Sequence, residues 1–195
     1  MFDALFTTTT EYKKLSHALS GKGACALFGL PASGRAQVYA ALCRQLDKPL
    51  CIVTPGEAEA TRFAADLNTL GIPAAVFPAR DYVLRPIEGT AREYEYRRLA
   101  VLGELVGGRL RAVAVPAEAL TQFTTPKEDF CANTRTLHAG DTLLRDDLLA
   151  ALFGAGYTRR AQVDGPGQFS VRGDIVDIFA PDQKMPVRME FWGDE

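Results

Sequence analysis

Between residues 23 and 116, short apolar runs rich in β-formers alternate with segments whose apolar positions recur at three- and four-residue spacing. Runs at residues 24–30, 49–54, 74–77 and 111–115 read as buried strands, because a strand covered on both faces needs no polar alternation. Helices fill the intervals. Residues 36–46 follow the first run, and residues 57–70 put Ala60, Phe63, Leu67 and Leu70 on one face before Gly71-Ile72-Pro73. Residues 92–106 stack Tyr96, Leu99, Leu102 and Val106 ahead of the Gly107-Gly108 stop. Strand and helix in this alternation predict a parallel sheet with helices on its faces.

After Pro116 the rhythm changes. A short helix at residues 117–122 leads into the polar stretch 124–129, which reads as a loop or linker. Beyond it the pattern predicts a strand at 134–138, a helix at 146–153 closed by Gly154 and Gly156, and strands at 159–163, 168–172, 175–179 and 187–192. Strict alternation sets Phe169 and Val171 against Ser170 and Arg172, and Arg188 and Glu190 against Met189 and Phe191. Gly173-Asp174 supplies a tight turn. The expected architecture is an α/β domain over residues 1–116 followed by a smaller α+β domain, 117–195, with an antiparallel sheet.

Composition narrows the class. At 47% hydrophobic and 24% charged, the 195 residues suit an ordinary globular chain. The net charge is −2, and residues 1–116 hold 14 basic and 11 acidic side chains against 8 and 13 in the remainder, so neither part is a polybasic module. A nonspecific grip on nucleic acid is therefore disfavoured, and weak, steeply salt-dependent DNA binding at most is expected. No apolar run approaches the ~20 residues of a membrane span, and the amino terminus lacks a signal-peptide pattern. These features point to a cytoplasmic protein. Cys25, Cys43, Cys51 and Cys131 form no Cys-x-x-Cys pair and read as small core residues in a reducing compartment. With only His17 and His138 besides, no metal site is expected. The chain stops at Phe191-Trp192-Gly193-Asp194-Glu195, just after an apolar strand, and so reads as a piece of something longer.

The first candidate site is Gly29-Leu-Pro-Ala-Ser33-Gly34-Arg35-Ala36, between the first expected strand and its helix. That is where a P-loop lies. A working P-loop has Lys and then Ser or Thr after its second glycine, the ammonium for phosphate oxygens and the hydroxyl for Mg²⁺. Here those places hold Arg35 and Ala36, and Ser33 stands one residue before Gly34. A methyl group cannot ligate a metal, and a guanidinium does not replace a compact ammonium in a tight loop. On the residues alone, a plain glycine turn, a degenerate P-loop and a variant nucleotide site remain alternatives. No Gly-x-Ser-x-Gly or His-Glu-x-x-His motif is present, and Glu93, Glu95, Asp146 and Asp147 read as solvated helix positions.

The second candidate is the set Arg159, Arg172, Arg188 and Glu190, which alternation allows on one polar sheet face. Such a face suits carboxylates on a partner protein, or is simply solvated and laced with cross-strand ion pairs.

Gly167-x-Phe169-x-Val171-Arg172-Gly173-x-x-x-Asp177-Ile178-Phe179, followed by Arg188-Met-Glu-Phe191, closely resembles the second domain of the UvrB family of bacterial nucleotide excision repair. Two departures stand out. The P-loop residues are lost, and only about fifteen residues separate Pro78 from Tyr94, too few for the aromatic DNA-clamping hairpin of that family. Both departures, with the Ala155-Gly156-Tyr157 lead-in and Pro186-Val187-Arg188-Met189-Glu190-Phe191, resemble the UvrB-like amino-terminal module of the transcription-repair coupling factors. The resemblance implies a helicase-like, degenerate P-loop first domain and a second domain that binds UvrA. Its contacts would be Arg159, Arg172, Arg188 and Glu190, with Thr158 and Arg160 beside them, while Ser170 stands where UvrB has another arginine. It also implies that this segment is non-catalytic and holds no cofactor, with ATP, Mg²⁺, RNA polymerase and DNA left to downstream domains, and that packing against other domains masks the UvrA face until the motor engages. The alternative is a UvrB-like repair ATPase or helicase fragment with a variant P-loop.

Overall fold

A computed structural model describes residues 6–21, 24–46, 48–80 and 90–192. In chain order its elements are α1 (Thr10–Ser20), α2 (Ala32–Gln45), β1 (Leu50–Thr54), α3 (Glu57–Thr69), β2 (Ala74–Val76), α4 (Thr90–Val106) and β3 (Ala112–Pro116). There follow α5 (Ala117–Leu120), α6 (Lys127–Ala132), α7 (Arg145–Gly154), β4 (Thr158–Arg159), β5 (Gln168–Arg172), β6 (Ile175–Phe179) and β7 (Val187–Glu190). They gather into two compact units, Met1–Ala79 with Gly107–Gln122, and Arg80–Val106 with Phe123–Glu195. The division differs from a single cut after residue 116, because α4 groups with the second unit.

In the first unit β1, β3 and β2 form a parallel sheet in that lateral order, with Ile52 beside Ala114 and Val76 on its other side. Helix α3 carries the crossover from β1 to β2. Its period-3.6 face buries Ala60, Phe63, Ala64 and Leu67 against Ala40 and Cys43 of α2, Ile52, Ala112 and Ala114. The Tyr39 and Phe63 rings meet at 5.6 Å. A second cluster joins Tyr12 of α1 to Val38, Ala41 and Leu42 of α2. Thr9 caps α1 by accepting the Tyr12 N–H at 3.3 Å, and Asn68 stitches α3 to β2 by bonding both the N–H and the carbonyl of Ala74.

The second unit is built on a four-stranded sheet, β4-β5-β6-β7. β5, β6 and β7 are antiparallel neighbours, but β4 runs parallel to β5, so the sheet is mixed rather than antiparallel. One face is apolar. Phe169, Val176 and Ile178 pack against Leu148 and Leu152 of α7, and Phe153 meets the Phe169 ring edge-on at 5.1 Å. The β5–β6 turn uses Gly173 at φ +61° as its first central residue, which matches the right-handed twist of the strands it joins. Gly167 enters β5 at φ +73°, and a Cβ there would run into the Tyr96 phenol of α4. Arg98 of α4 is 3% exposed and donates to Thr124 Oγ1 at 2.8 Å.

Several expectations need correction. Residues 24–30 join no sheet, and Leu27 and Phe28 are exposed: an apolar run becomes a strand only where a neighbour offers a hydrogen-bonding edge. Residues 134–138 are irregular. Thr134 is drawn into the end of α6 through Phe130 O, while His138 N–H is taken by Asp141 Oδ2 at 2.7 Å, a side-chain turn that competes with a ladder. Residues 127–129 belong to α6 instead of a loop, and the 159–163 strand is reduced to Thr158–Arg159. Burial on α4 runs through Arg98 and Val101, while Leu99 and Val106 are partly exposed. Only Cys43 is a core cysteine; Cys25, Cys51 and Cys131 are exposed. Cys25 lies in the unpaired run, Cys51 on edge strand β1, and Cys131 on a helix that buries nothing. Among the described residues no helix is long and apolar enough to cross a membrane.

Phe169 has no exposed surface and anchors the second core. Replacing it with alanine removes an aromatic ring from contact with α7, so Phe169→Ala should lower unfolding free energy by about 3–5 kcal/mol in urea titration.

Candidate functional site

The face of the second sheet opposite α7 follows from ladder register. Ser170, Asp177 and Arg188 lie side by side across β5, β6 and β7, and the next row is Arg172, Ile175 and Glu190. Because the alternate residues Phe169, Val176 and Ile178 are committed to the core, these side chains are turned the other way. A groove of about 530 Å³ opens there, lined by Gln162, Val163, Arg172, Asp177, Pro186 and Arg188.

Arg188 grips Asp177 with two parallel bonds. Its Nε–H donates to Oδ1 at 2.7 Å and its Nη2 to Oδ2 at 3.0 Å, the fork geometry that guanidinium and carboxylate share. Beneath them Ser170, 2% exposed, directs its hydroxyl to Asp177 Oδ2 at 3.4 Å. The bonds from Arg188 hold the Asp177 carboxyl below its ordinary value, against the opposing effect of desolvation, with smaller help from Ser170 and the field of Arg172. Arg172 takes another course: its Nη2 donates to the carbonyl of Ala161 at 2.9 Å and so ties β5 to the 160–164 segment. Glu190 is exposed at the end of its row and helps hold Arg188 protonated.

Of the four residues expected together, Arg172, Arg188 and Glu190 share this face. Arg159 does not. It pairs with Phe169 across the parallel β4–β5 ladder, so Thr158, beside Gln168, takes the polar row instead. The offset arises because parity within one strand carries no information about the register of a separate one. Arg159 and Arg160 are both exposed. Asp177, which alternation alone marks only as an outward strand residue, is the member that sequence reasoning missed. Its signal was available in the two-residue turn, which forces 172 to pair with 175 and therefore 170 with 177.

The other candidate has a different character. Gly29 sits at φ +81°, and α2 begins at Ala32 after Pro31 without a side-chain cap. Gly34 and Arg35 lie in the first helical turn, both N–H groups directed at the Pro31 carbonyl. The side chain of Ser33 lies outside the described residues. Arg35 extends to Glu59, 3.8 Å away on α3, and Ala36 is 4% exposed. With the metal-ligating place filled by a buried methyl and the phosphate-binding place by an exposed, carboxylate-facing guanidinium, these residues do not fit Mg²⁺ and a nucleoside triphosphate. Among the described residues no group of three or more His, Cys, Asp or Glu side chains is placed to hold a metal ion. Glu93, Glu95, Asp146 and Asp147 are solvent-exposed, as expected.

Residues 136–195, which carry the polar sheet face, match the family described as the UvrB interaction domain. The wider chain is similar to the transcription-repair-coupling factors of Mycobacterium bovis, 39% identical over 85% of this chain, and Bacillus subtilis, 29% identical over 87%. It is also similar to the UvrABC system protein B of Chlorobium limicola, 27% identical over 87%. The matched region spans 14% of the length of either coupling factor and 27% of the UvrABC protein.

The depressed Asp177 carboxyl has a testable sign. A folded-state value below the unfolded one contributes stability that is fully present above the unfolded carboxyl range and is lost as pH falls through the folded value. The stability difference between wild type and Asp177→Asn should therefore be constant near neutrality and shrink below about pH 4, as followed by thermal unfolding across pH.

Proposed function

With residues 136–195 identified as a UvrB interaction domain and the chain aligned along most of its length with transcription-repair-coupling factors, we propose that it recruits UvrA to excision repair coupled to transcription. The polar face of β5, β6 and β7 is the docking surface. The observation that carries this is the groove in which Arg172 and the Asp177–Arg188 pair stand together on a sheet whose other face is consumed by the core. Planar, multi-donor groups held in a shallow groove suit carboxylate and carbonyl oxygens of a protein partner, and arginines in such places dominate binding energy. Arg172, Arg188 and Glu190 are the contacts we assign, with Arg159 at the periphery.

On this reading the chain is a binding module with no catalytic step and no cofactor of its own. On the same reading the first unit derives from a helicase-like P-loop fold: its parallel sheet and the positive φ of Gly29 support this, although residues 24–30 ahead of the loop join no sheet, and the residues that turn over nucleotide are absent. ATP, Mg²⁺, RNA polymerase and DNA would be engaged by other parts of the full-length protein, in the cytoplasm. Docking of UvrA on a surface like that of UvrB makes the two compete.

Titration against purified UvrA tests the proposal. Saturable binding, displaced by UvrB and weakened by about 2 kcal/mol or more in Arg172→Ala, is the expected result. A folded chain that fails to bind UvrA would overturn it. The companion expectation is that Mg²⁺-ATP gives no saturable heat in calorimetry with this chain, and a measurable affinity would favour the repair-ATPase alternative.

A further inference from the structure

Two guanidinium groups face the groove in opposite electrostatic states. Arg188 has committed Nε–H and one Nη2–H to Asp177, so its charge is matched at contact distance and its remaining N–H donors form an outward edge. Arg172 has spent its hydrogen bond on a neutral acceptor, the carbonyl of Ala161. Among the described residues no carboxylate lies within ion-pair reach of it, and Asp177 acts on it only through its longer-range field. An incoming carboxylate therefore finds net positive potential at Arg172. At Arg188 it meets Asp177 on one side and the exposed Glu190 two residues along the same strand face on the other.

We propose that Asp177 is a positioning residue that divides the labour of the groove: it neutralises and orients Arg188 as a hydrogen-bonding fork for an uncharged partner oxygen, and leaves Arg172 alone to read the partner's negative charge. The occupant is a UvrA segment bearing one carboxylate for Arg172 and an adjacent carbonyl or amide oxygen for Arg188. This rests on the docking proposal and deepens it. A charge at the edge of an interface governs association rate and salt dependence, whereas a hydrogen-bonded pair desolvated on docking governs dissociation.

Association and dissociation rates of the chain with UvrA, measured across a series of salt concentrations, separate the roles. Arg172→Gln should slow association and flatten its salt dependence. Arg188→Gln combined with Asp177→Asn, which removes the pair without changing net charge, should speed dissociation about tenfold while keeping the wild-type salt dependence. Asp177→Asn should speed dissociation and steepen the salt dependence, because it frees a second positive charge on the same face, and Asp177→Glu should restore both. The thermal melt of each variant reports its folding. Wild-type salt dependence in a folded Asp177→Asn, or equal flattening by the double variant and Arg172→Gln, would overturn the division of labour while leaving docking intact. Absence of wild-type binding would overturn the docking proposal and this inference with it.

Discussion

The antiparallel ladder of β5, β6 and β7 has one register in which Phe169, Val176 and Ile178 all reach α7, and the chemistry of the opposite face depends on that register. A slip of one residue on any strand would bury a charge and expose a core side chain. Burying each of these three apolar side chains stabilises the unit by about 1.5–3 kcal/mol, so the core selects the register far more strongly than any surface contact does. Ser170, Asp177 and Arg188 stand in one row because hydrophobic packing on the other side leaves them no alternative.

That hierarchy clarifies what the ion pair does. The side chain of Arg188 is 57% exposed and that of Asp177 19%, a setting in which a pair adds little to stability, typically about 0–1 kcal/mol. What the pair does supply is orientation. A free arginine samples many rotamers and loses that freedom on binding, whereas one held at both Nε and Nη2 presents its outer edge in a single direction before a partner arrives. The nearly buried Ser170 hydroxyl serves the same end from below by engaging Asp177 Oδ2. Polar residues on this sheet thus follow binding logic, and apolar ones follow folding logic, with the pleat separating the two.

How much of this was legible in the chain depends on the distance over which each feature is set. Helix α3, strands β1 to β3 and the β5–β6 hairpin were legible because periodicity and a two-residue turn are local signals. The Asp177–Arg188 pair was not, since the segment joining β6 to β7 is long enough to permit several registers and only packing chooses among them. Arg159 was misplaced for the same reason: its neighbour is β5, met in parallel after a glycine-rich excursion. Residues 24–30 show the converse error. Their apolar run has the composition of a buried strand, yet composition cannot provide the hydrogen-bonding edge that makes one. Arg98 escaped notice because a buried cation has no hydrophobic signature, only partners that the fold brings to it.

The anchoring of α2 lies away from the glycine loop that precedes it, in its middle and at its other end. Arg111 donates to the carbonyls of Cys43 and Leu46, so a guanidinium occupies the carbonyl end of α2, where the dipole favours positive charge, while Arg44 of its last turn donates to Leu70 O at the carbonyl end of α3 at 2.6 Å. The middle of the helix is fixed by Ala40 and Cys43 against α3 and the sheet, and by Val38, Ala41 and Leu42 against α1. At the amino-terminal end the helix relies on a proline and has no side-chain cap, and Arg35 makes only an exposed contact with Glu59. An ammonium and a hydroxyl at positions 35 and 36 would serve a phosphate and a metal, not this packing. Those two places instead hold an arginine on the surface and a buried alanine. The contacts that hold α2 are made by its middle and its carbonyl end, away from the glycine loop.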